Sequence, residues 1–371
     1  MIDLHGIIYA YHSYPALNDL VLKRTSASLP FCSRYRLIDF ALSAMTNAGV
    51  RDVGIIMQNN FQSLLDHLEG GKDWDLSRGS GGLALLPPYG MYNSQYGDYK
   101  GCMDALAAIL PYLRRVKQGS IVLMRGDLAT NLDLEAAFES HLASGAEITA
   151  ICASKAYDSG GDSISFIPDA DGFSSHILFG SAAPDALSSI EAYIISKPLL
   201  LRLISRCREN GLFHFHRDAL AHYLENGGRI HLYKHTGYCS HICSISDYYG
   251  SSMDMLKSSL RADLFPEDRP VYTKGRSSVS TYYSEDSSIK NSLVADGCYI
   301  EGELENCVVF RGVTIKKGAK LKNCVILQDS VVGKNAQLTC VIADKSVTFS
   351  DDTILTGNRE LPLTVPKGKS L

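Results

Sequence analysis

The sequence predicts an α/β protein in which a Rossmann-like, doubly wound domain is followed by a parallel β-helix. The first part of this prediction rests on short apolar segments that alternate with segments of helical periodicity through residues 1–259. The second part rests on aliphatic residues that recur at hexapeptide spacing within residues 276–371. Residues 260–275 carry two prolines and many charges, so we expect them to link the two domains.

Four apolar segments of the first domain have the length of buried strands, and we predict strands at residues 5–10, 52–58, 120–124 and 147–153. Helical periodicity lies between them, including a long predicted helix over residues 102–116. Because this alternation favours a mostly parallel sheet, ligands are expected beyond the carboxyl ends of its strands. Asp127 follows the third predicted strand at such an end.

Residues 29–49 combine charge with a predicted helix. Arg34 and Arg36 stand just ahead of Asp39, and an apolar run then continues to Gly49. A helix start flanked by guanidinium groups favours anions, because free N–H groups and the positive end of the helix dipole point the same way. The alternative is a solvated charge cluster in front of a core helix.

A repeated pattern occupies the C-terminal region. Its four copies begin 15, 17 and 16 residues apart and read Asn291-Ser-Leu-Val, Asn306-Cys-Val-Val, Asn323-Cys-Val-Ile and Thr339-Cys-Val-Ile. Aliphatic residues also recur six apart between these copies, as in a β-helix with about three hexapeptides per coil. The pattern therefore predicts about four coils that stack on one another.

Composition excludes several classes of protein. The 371 residues carry a net charge of −4 without a basic tract, which argues against a nucleic-acid partner. No apolar run reaches the length of about 18 residues that a membrane span needs, and the N-terminus lacks the features of a signal peptide. The ten cysteines are scattered without a CxxC pair, so we expect a cytoplasmic protein with reduced thiols and no zinc site.

Several motifs resemble those of one enzyme family, the glucose-1-phosphate adenylyltransferases. They are Pro30-Phe31, Tyr35-Arg-Leu-Ile-Asp-Phe40, Leu42-Ser43, Asn47-Ala-Gly49, Tyr99-Lys-Gly101 with Asp104, and Gly126-Asp127. The resemblance covers essentially the whole chain and implies a nucleotidyltransferase domain followed by a left-handed β-helix. It also implies a reaction in which ATP and glucose 1-phosphate form ADP-glucose and pyrophosphate with Mg²⁺, for glycogen or starch synthesis.

The sequence departs from the family at each part of its expected site. The family's loop Gly-Gly-x-Gly-x-Arg-Leu matches residues 11–17, where no glycine remains. Its Arg-Ala-Lys-Pro motif keeps Arg24 and loses the lysine. Asp127 matches the first metal carboxylate, but His241 stands where the second is expected. No lysine or arginine lies between Ala156 and Ser196, where a Glu-Lys-Pro motif should bind the sugar phosphate.

These losses affect separate catalytic parts and together predict a non-catalytic member of the family, which resembles the family's regulatory subunits. The resemblance then implies no catalytic residue, with Asp127 as the surviving carboxylate, no metal site, and Mg²⁺ only in a catalytic partner. It also implies assembly with that partner as a hetero-tetramer, self-association when alone, and a sugar-phosphate effector. Asp127 is expected either to touch a metal ion or only to form hydrogen bonds near the strand end.

The candidate residues for an effector site or a vestigial substrate pocket are Arg24, Arg34, Arg36, Asp39, Tyr99, Lys100, Gly101, Asp104 and Ser189. The three arginines are expected either to bind a regulatory sugar phosphate or to pair with acids at a subunit interface. Tyr99, Gly101 and Ser189 match sugar-site positions of the family.

Three other functions remain open from the sequence. The chain is alternatively a weakly active nucleotidyltransferase with a rebuilt site, or a sugar-phosphate-binding protein that acts alone. A hexapeptide acyltransferase is a poorer match, since such enzymes use a histidine of the β-helix. All eleven histidines of this chain lie at or before His241.

Overall fold

The computed structural model describes residues 2–78, 81–87, 99–153, 163–180 and 185–371. An α/β part precedes a β-helix. The strands of the α/β part are β1 (Leu4–Tyr9), β2 (Pro30–Phe31), β3 (Tyr35–Arg36), β4 (Asp52–Ile56), β5 (Gly82–Leu86), β6 (Ser120–Arg125), β7 (Leu128–Thr130), β8 (Ile148–Ala153), β9 (Ile164–Phe166), β10 (Phe173–Ser174), β11 (Ile177–Phe179), β12 (Leu187–Ser196), β13 (Ile230–His235) and β14 (Cys239–His241).

The central sheet has the strand order β10-β13-β8-β12-β6-β1-β4-β5. β1 pairs in parallel with β4 and β6, and β13 pairs in parallel with β8. The predicted parallel arrangement holds for β1, β4, β5, β6, β8 and β13, which run in the same direction. The sheet differs from the prediction in its antiparallel pairs: β12 runs antiparallel between β6 and β8, β10 pairs antiparallel with β13, and β9 pairs antiparallel with β11 and β12. The carboxyl ends of β1 and β6 lie side by side, and this edge carries the candidate site.

The helices cover both faces of this sheet. They are α1 (Leu37–Asn47), α2 (Gln62–Leu68), α3 (Cys102–Ala108), α4 (Leu110–Arg115), α5 (Leu134–Ser144), α6 (Lys197–Glu209), α7 (Ala221–Glu225), α8 (Ile245–Asp254) and α9 (Ser258–Leu264). The single helix predicted over residues 102–116 is wrong, because the chain forms α3 and α4 instead. Pro111 has no N–H with which to continue an α-helix from the preceding turn, so a new helix starts beside it.

The β-helix follows as three parallel sheets. Its strands are β15 (Tyr282–Tyr283), β16 (Ser288–Lys290), β17 (Leu293–Val294), β18 (Tyr299–Ile300), β19 (Glu303–Glu305), β20 (Val308–Val309), β21 (Thr314–Ile315), β22 (Lys320–Lys322), β23 (Val325–Ile326), β24 (Val331–Val332), β25 (Gln337–Thr339), β26 (Val341–Ala343), β27 (Thr348–Phe349), β28 (Ile354–Thr356) and β29 (Leu363–Val365). Every third strand belongs to the same sheet.

Each of these sheets contains five strands, so the β-helix has five coils rather than the four predicted. The four repeats lead into β17, β20, β23 and β26, whereas β29 follows a longer turn at residues 357–362 that breaks the spacing. The repeated asparagines occupy turns with positive φ, and their amides form a ladder. Asn291 donates to Asn306 at 2.7 Å, and Asn306 donates to Asn323 at 3.2 Å.

Buried contacts join the α/β part to the β-helix. The Tyr249 hydroxyl of α8 donates to the Asn323 carbonyl oxygen at 2.8 Å, and an apolar cluster combines Phe31 and Tyr248 with Phe310. α9 begins at residue 258 and extends into the segment predicted as the linker. No helix in the described ranges is both long and apolar enough to cross a membrane.

Candidate functional site

Asp127 lies directly after β6, at the carboxyl end of that strand. A hydrogen bond of 2.8 Å from the Gly126 N–H to the Tyr9 carbonyl oxygen fixes the turn that carries it. The Asp127 carboxylate is buried, and both of its oxygens accept hydrogen bonds. Arg125 donates to Oδ1 at 2.9 Å and to Oδ2 at 3.2 Å, while the Ser26 hydroxyl donates to Oδ2 at 2.9 Å.

Arg125 also contacts a second carboxylate, that of Glu191 in β12, with 2.7 Å between Nη1 and Oε1. Glu191 has a φ of +56°, in the left-handed region where a side chain costs about 1–3 kcal/mol. It lies in an irregularity of the β12–β8 pairing between Ser189 and Ala192. The irregular backbone thus places an acidic side chain against Arg125.

The guanidinium of Arg125 keeps both acids charged. Burial alone would raise the pKa of Asp127, but Arg125 beside it holds that pKa well below its usual range. Burial also tends to raise the pKa of Glu191, but Arg125 lowers it, and the net shift of the Glu191 pKa is downward. One cation is therefore shared by two ionised carboxylates through charge-assisted hydrogen bonds.

Residues 11–14 replace the expected phosphate loop with aromatic rings. The rings of Tyr11 and His12 stack with centroids 4.5 Å apart, and the Tyr14 ring lies 5.3 Å from that of His241. The Tyr14 hydroxyl is 3.1 Å from His241 Nε2, and the Arg125 guanidinium lies 5.6 Å from the centre of the Tyr14 ring. Side chains of this loop thus occupy the edge of the sheet where backbone N–H groups would have to face a triphosphate.

His241, at the position of the missing second carboxylate, cannot take over that role. Burial lowers its pKa to about 4, with Arg125 adding to the shift, so the imidazole is neutral at pH 7. Burial lowers the pKa of His12 to about 4 in the same way. A neutral imidazole contributes no negative charge to a Mg²⁺ site, which prefers oxygen ligands.

The residues at this edge do not fit the Mg²⁺ that the family resemblance implies. Both oxygens of Asp127 are bound to Arg125, so a metal ion there would have to displace a guanidinium and face its positive charge. Within the described ranges, no group of three or more His, Cys, Asp or Glu side chains is arranged to hold a metal ion.

The predicted sugar-site residues make contacts within the chain. Lys100 is exposed, and its N–H donates to Asp104 at 3.0 Å, at the start of α3. A side chain at Gly101 would place its Cβ 2.3 Å from the Phe213 carbonyl oxygen, so only glycine fits. The Tyr99 ring lies 5.3 Å from Tyr11, against the aromatic loop.

Ser189 also has partners of its own, because its hydroxyl is 2.8 Å from the Tyr193 hydroxyl and accepts from the Glu191 N–H at 3.0 Å. The structure therefore brings Ser189 close to the Arg125–Glu191 pair. Gly101 and Asp104 instead shape the start of α3.

A cationic cluster lies where the α/β part meets the β-helix. Arg24 is buried and donates to both oxygens of Asp344 at 2.7 and 2.8 Å, while its Nη1 atom is buried and has no hydrogen-bond partner among the described residues. Burial lowers the pKa of Lys345 to about 7, and repulsion from Arg36 and Arg24 adds to the shift. Burial also lowers the pKa of Arg36 to about 10; Asp39 opposes this shift.

The start of α1 is closed by the chain itself. Asp39 is buried, its Oδ2 accepts from the Arg36 N–H at 3.0 Å, and its Oδ1 is 2.5 Å from His67 Nε2. The anion expected at this helix start is therefore an aspartate of the helix. Arg34 is exposed, lies 5.7 Å from the ring centre of Tyr35, and lines a separate pocket with it.

Two residues that the sequence analysis did not select, Arg125 and Glu191, dominate the site. An arginine at the end of an otherwise apolar strand, one residue before Gly126-Asp127, was the available signal for the first. Nothing in the sequence pairs it with Glu191, which lies 66 residues away. Lys345 was missed as well, because a lysine in a β-helix turn is ordinarily solvent-exposed.

Comparison with known proteins agrees with this architecture. The family model described as "Nucleotidyl transferase" matches residues 16–160, and the model described as "GlmU-like, C-terminal hexapeptide" matches residues 278–361. The glycogen biosynthesis protein GlgD of Bacillus subtilis is 34% identical over 355 residues, which cover 95% of this chain and 92% of that relative. The chain belongs to the GlgD family. The predicted resemblance and fold class are thereby confirmed.

Other relatives include a second GlgD protein and a glucose-1-phosphate adenylyltransferase. GlgD of Geobacillus stearothermophilus is 32% identical over 85% of this chain and 81% of its own length. A glucose-1-phosphate adenylyltransferase of Bacillus subtilis is 27% identical over 81% of this chain and 80% of its own length. Bacillus subtilis thus has one relative under each of the two names.

Proposed function

We propose that this chain is a regulatory subunit of a glucose-1-phosphate adenylyltransferase and acts in glycogen biosynthesis without catalysing the reaction itself. The observation that carries the proposal is the pair of hydrogen bonds from Arg125 to Asp127, since they tie up the carboxylate that catalysis would need for Mg²⁺. The aromatic rings of residues 11–14 support it, because they stand where a triphosphate would be bound.

The proposed partner is a catalytic subunit of the same family, which would supply the Mg²⁺ site and form a hetero-tetramer with this chain in the cytoplasm. The names of the two Bacillus subtilis relatives support this pairing, because one host has both kinds of protein. Self-association of the chain alone is the corresponding proposal for conditions without the partner.

We further propose that the cationic cluster of Arg24, Arg36 and Lys345 binds the phosphate of a sugar-phosphate effector. An anion there would relieve the repulsion that lowers the pKa of Lys345 and would offer an acceptor to the unpartnered Nη1 atom of Arg24. The cluster joins both parts of the chain, so an anion bound in it would change how firmly they are held together.

The first experiment measures pyrophosphate release from ATP, Mg²⁺ and glucose 1-phosphate. The purified chain is assayed alone, together with a catalytic subunit from the same host, and as an Asp127→Asn variant. We expect no turnover by the chain alone and increased turnover in the mixture, unchanged by Asp127→Asn. Turnover by the chain alone that disappears in Asp127→Asn would instead establish a weakly active enzyme. Absence of both turnover and stimulation would favour a binding protein that acts alone.

The effector proposal needs a variant at the cluster and a matched control elsewhere. Lys345→Ala should weaken the response of the mixture to sugar phosphates, while Arg34→Ala, which removes a cation from a different pocket, should leave it unchanged. Proton uptake on binding is a second readout. An anion raises the pKa of Lys345 from about 7, so calorimetry above pH 7 should detect uptake in wild type and less in Lys345→Ala.

A further inference from the structure

One guanidinium, that of Arg125, joins the two carboxylates of the cleft at the carboxyl ends of β1 and β6. Arg125 binds Asp127 through Nε and Nη2 and Glu191 through Nη1, at distances between 2.7 and 3.2 Å. The arginine side chain is 8% exposed, so the contacts are made largely out of water. A planar fork with fixed donors holds two carboxylates at a defined separation, as a bridging metal ion would.

The backbone around Glu191 is arranged for this contact. A glutamate with φ of +56° is strained, and the strain lies in the middle of β12, where regular pairing would avoid it. The distortion is stabilised locally, since the Glu191 N–H donates to the Ser189 hydroxyl at 3.0 Å. Strain that persists at such a position indicates that the placement of the carboxylate matters for the chain.

Among the described residues whose charges act most strongly on Asp127 and Glu191, Arg125 is the cation that balances the two acids. His12 and His241 lie close enough to act on Asp127, but burial lowers the pKa of each to about 4, so both are neutral at pH 7. Without the guanidinium, two carboxylates would remain beside neutral imidazoles. Two carboxylates with water molecules are a usual ligand set for Mg²⁺ or Mn²⁺.

We propose that Arg125 is an internal cation that replaces the divalent metal of this cleft, so that removing it creates a divalent-cation site from Asp127 and Glu191. The inference rests on the proposed non-catalytic function and deepens it, because it assigns the loss of metal binding to a specific residue, Arg125. The contact of Arg125 with Asp127 and Glu191 then does not depend on the Mg²⁺ concentration.

The test uses Mn²⁺ as the probe, with electron paramagnetic resonance to measure free Mn²⁺ and thermal unfolding to measure stabilisation. Wild type should leave the signal of free Mn²⁺ unchanged and show the same Tm with and without Mn²⁺. Arg125→Ala should unfold at a lower Tm, bind one Mn²⁺ per chain, and regain part of the lost Tm as Mn²⁺ is raised. The double variant Arg125→Ala with Glu191→Gln should lose this binding and this rescue.

Two results would overturn the inference: Mn²⁺ bound by wild type and lost in Asp127→Asn, or an Arg125→Ala variant whose Tm does not respond to Mn²⁺. If Arg125→Ala does not fold, Arg125→Lys and Arg125→Gln replace it. Metal exclusion is assigned to the positive charge, so Arg125→Lys should still exclude Mn²⁺, whereas Arg125→Gln, which keeps much of the side chain's bulk but removes the charge, should bind it. Absence of Mn²⁺ binding in a folded Arg125→Gln variant contradicts the inference. Neither outcome depends on the catalytic partner, so failure here is distinguishable from failure of the proposed regulatory function.

Discussion

Asp344→Asn should strongly destabilise the chain, because it breaks a buried ion pair. Arg24 and Asp344 are 5% and 1% exposed, and Arg24 donates to both carboxylate oxygens. Asparagine keeps the shape of the side chain but removes its charge. Arg24 is then left buried beside the positively charged Arg36 and beside Lys345, whose pKa the loss of Asp344 lowers further.

Breaking a buried ion pair by removing one partner costs about 3–5 kcal/mol of unfolding free energy. In a folding unit of roughly 150–250 residues, each kcal/mol lowers Tm by about 2–4 °C. Asp344→Asn should therefore lower Tm by about 6–20 °C, measured by calorimetry at low salt. Inorganic phosphate should recover part of this loss, because it supplies the missing negative charge.

Arg24→Met is the matched control. It removes a cation from a cluster with an excess of cations, and Asp344 keeps the Lys345 N–H, which donates to Oδ1 at 2.7 Å. We expect a smaller loss than in Asp344→Asn. A Tm of Asp344→Asn equal to that of wild type, or a larger loss in Arg24→Met, would refute the reasoning from charge balance.

Three further predictions concern pH and backbone fit. The pKa values of His12 and His241 are lowered from 6.5 to about 4, so the unfolded chain binds more protons than the folded chain between these pH values. Stability in urea titrations should therefore fall as the pH decreases from 6.5 toward 4, and a flat profile would contradict this. Gly101→Ala should lower Tm because its Cβ would lie 2.3 Å from a backbone oxygen, whereas Gly250→Ala, with open space inside α8, should leave Tm unchanged or raise it. Asn306→Ala should lower the free energy of unfolding by about 1–3 kcal/mol in chemical denaturation, because alanine loses the amide ladder and is strained at positive φ. Asn306→Gly loses the same ladder but tolerates the positive φ, so it should cost less. Equal losses in the two variants would assign the whole effect to the ladder.

Local patterns in the sequence predicted most helices and strands, because the formation of these elements depends on residues a few positions apart. The β-helix followed from repeated asparagine and aliphatic positions, and α1 followed from its apolar spacing. The errors have local causes too: Pro111 divides a predicted helix, and the turn at residues 357–362 hides the fifth coil.

The candidate site was less predictable because its contacts join distant parts of the chain. Asp127 was selected from its place after a strand, but its partner Arg125 joins it to Glu191 in an antiparallel strand that the parallel pattern did not reveal. Arg24 was selected as an anion-binding residue, and its carboxylate partner Asp344 lies at the far end of the sequence. Such pairings are set by the three-dimensional fold.

The pairing of Arg24 with Asp344 also bears on synthesis of the chain. The two residues are 320 positions apart, so the arginine leaves the ribosome long before its carboxylate is translated. Domains generally begin to fold as they emerge, with the N-terminal one first. A nascent or truncated chain that ends before residue 344 therefore carries Arg24 and Arg36 without this counter-ion. The end of the fourth coil supplies it, so this ion pair can form only after the chain has been translated past residue 344.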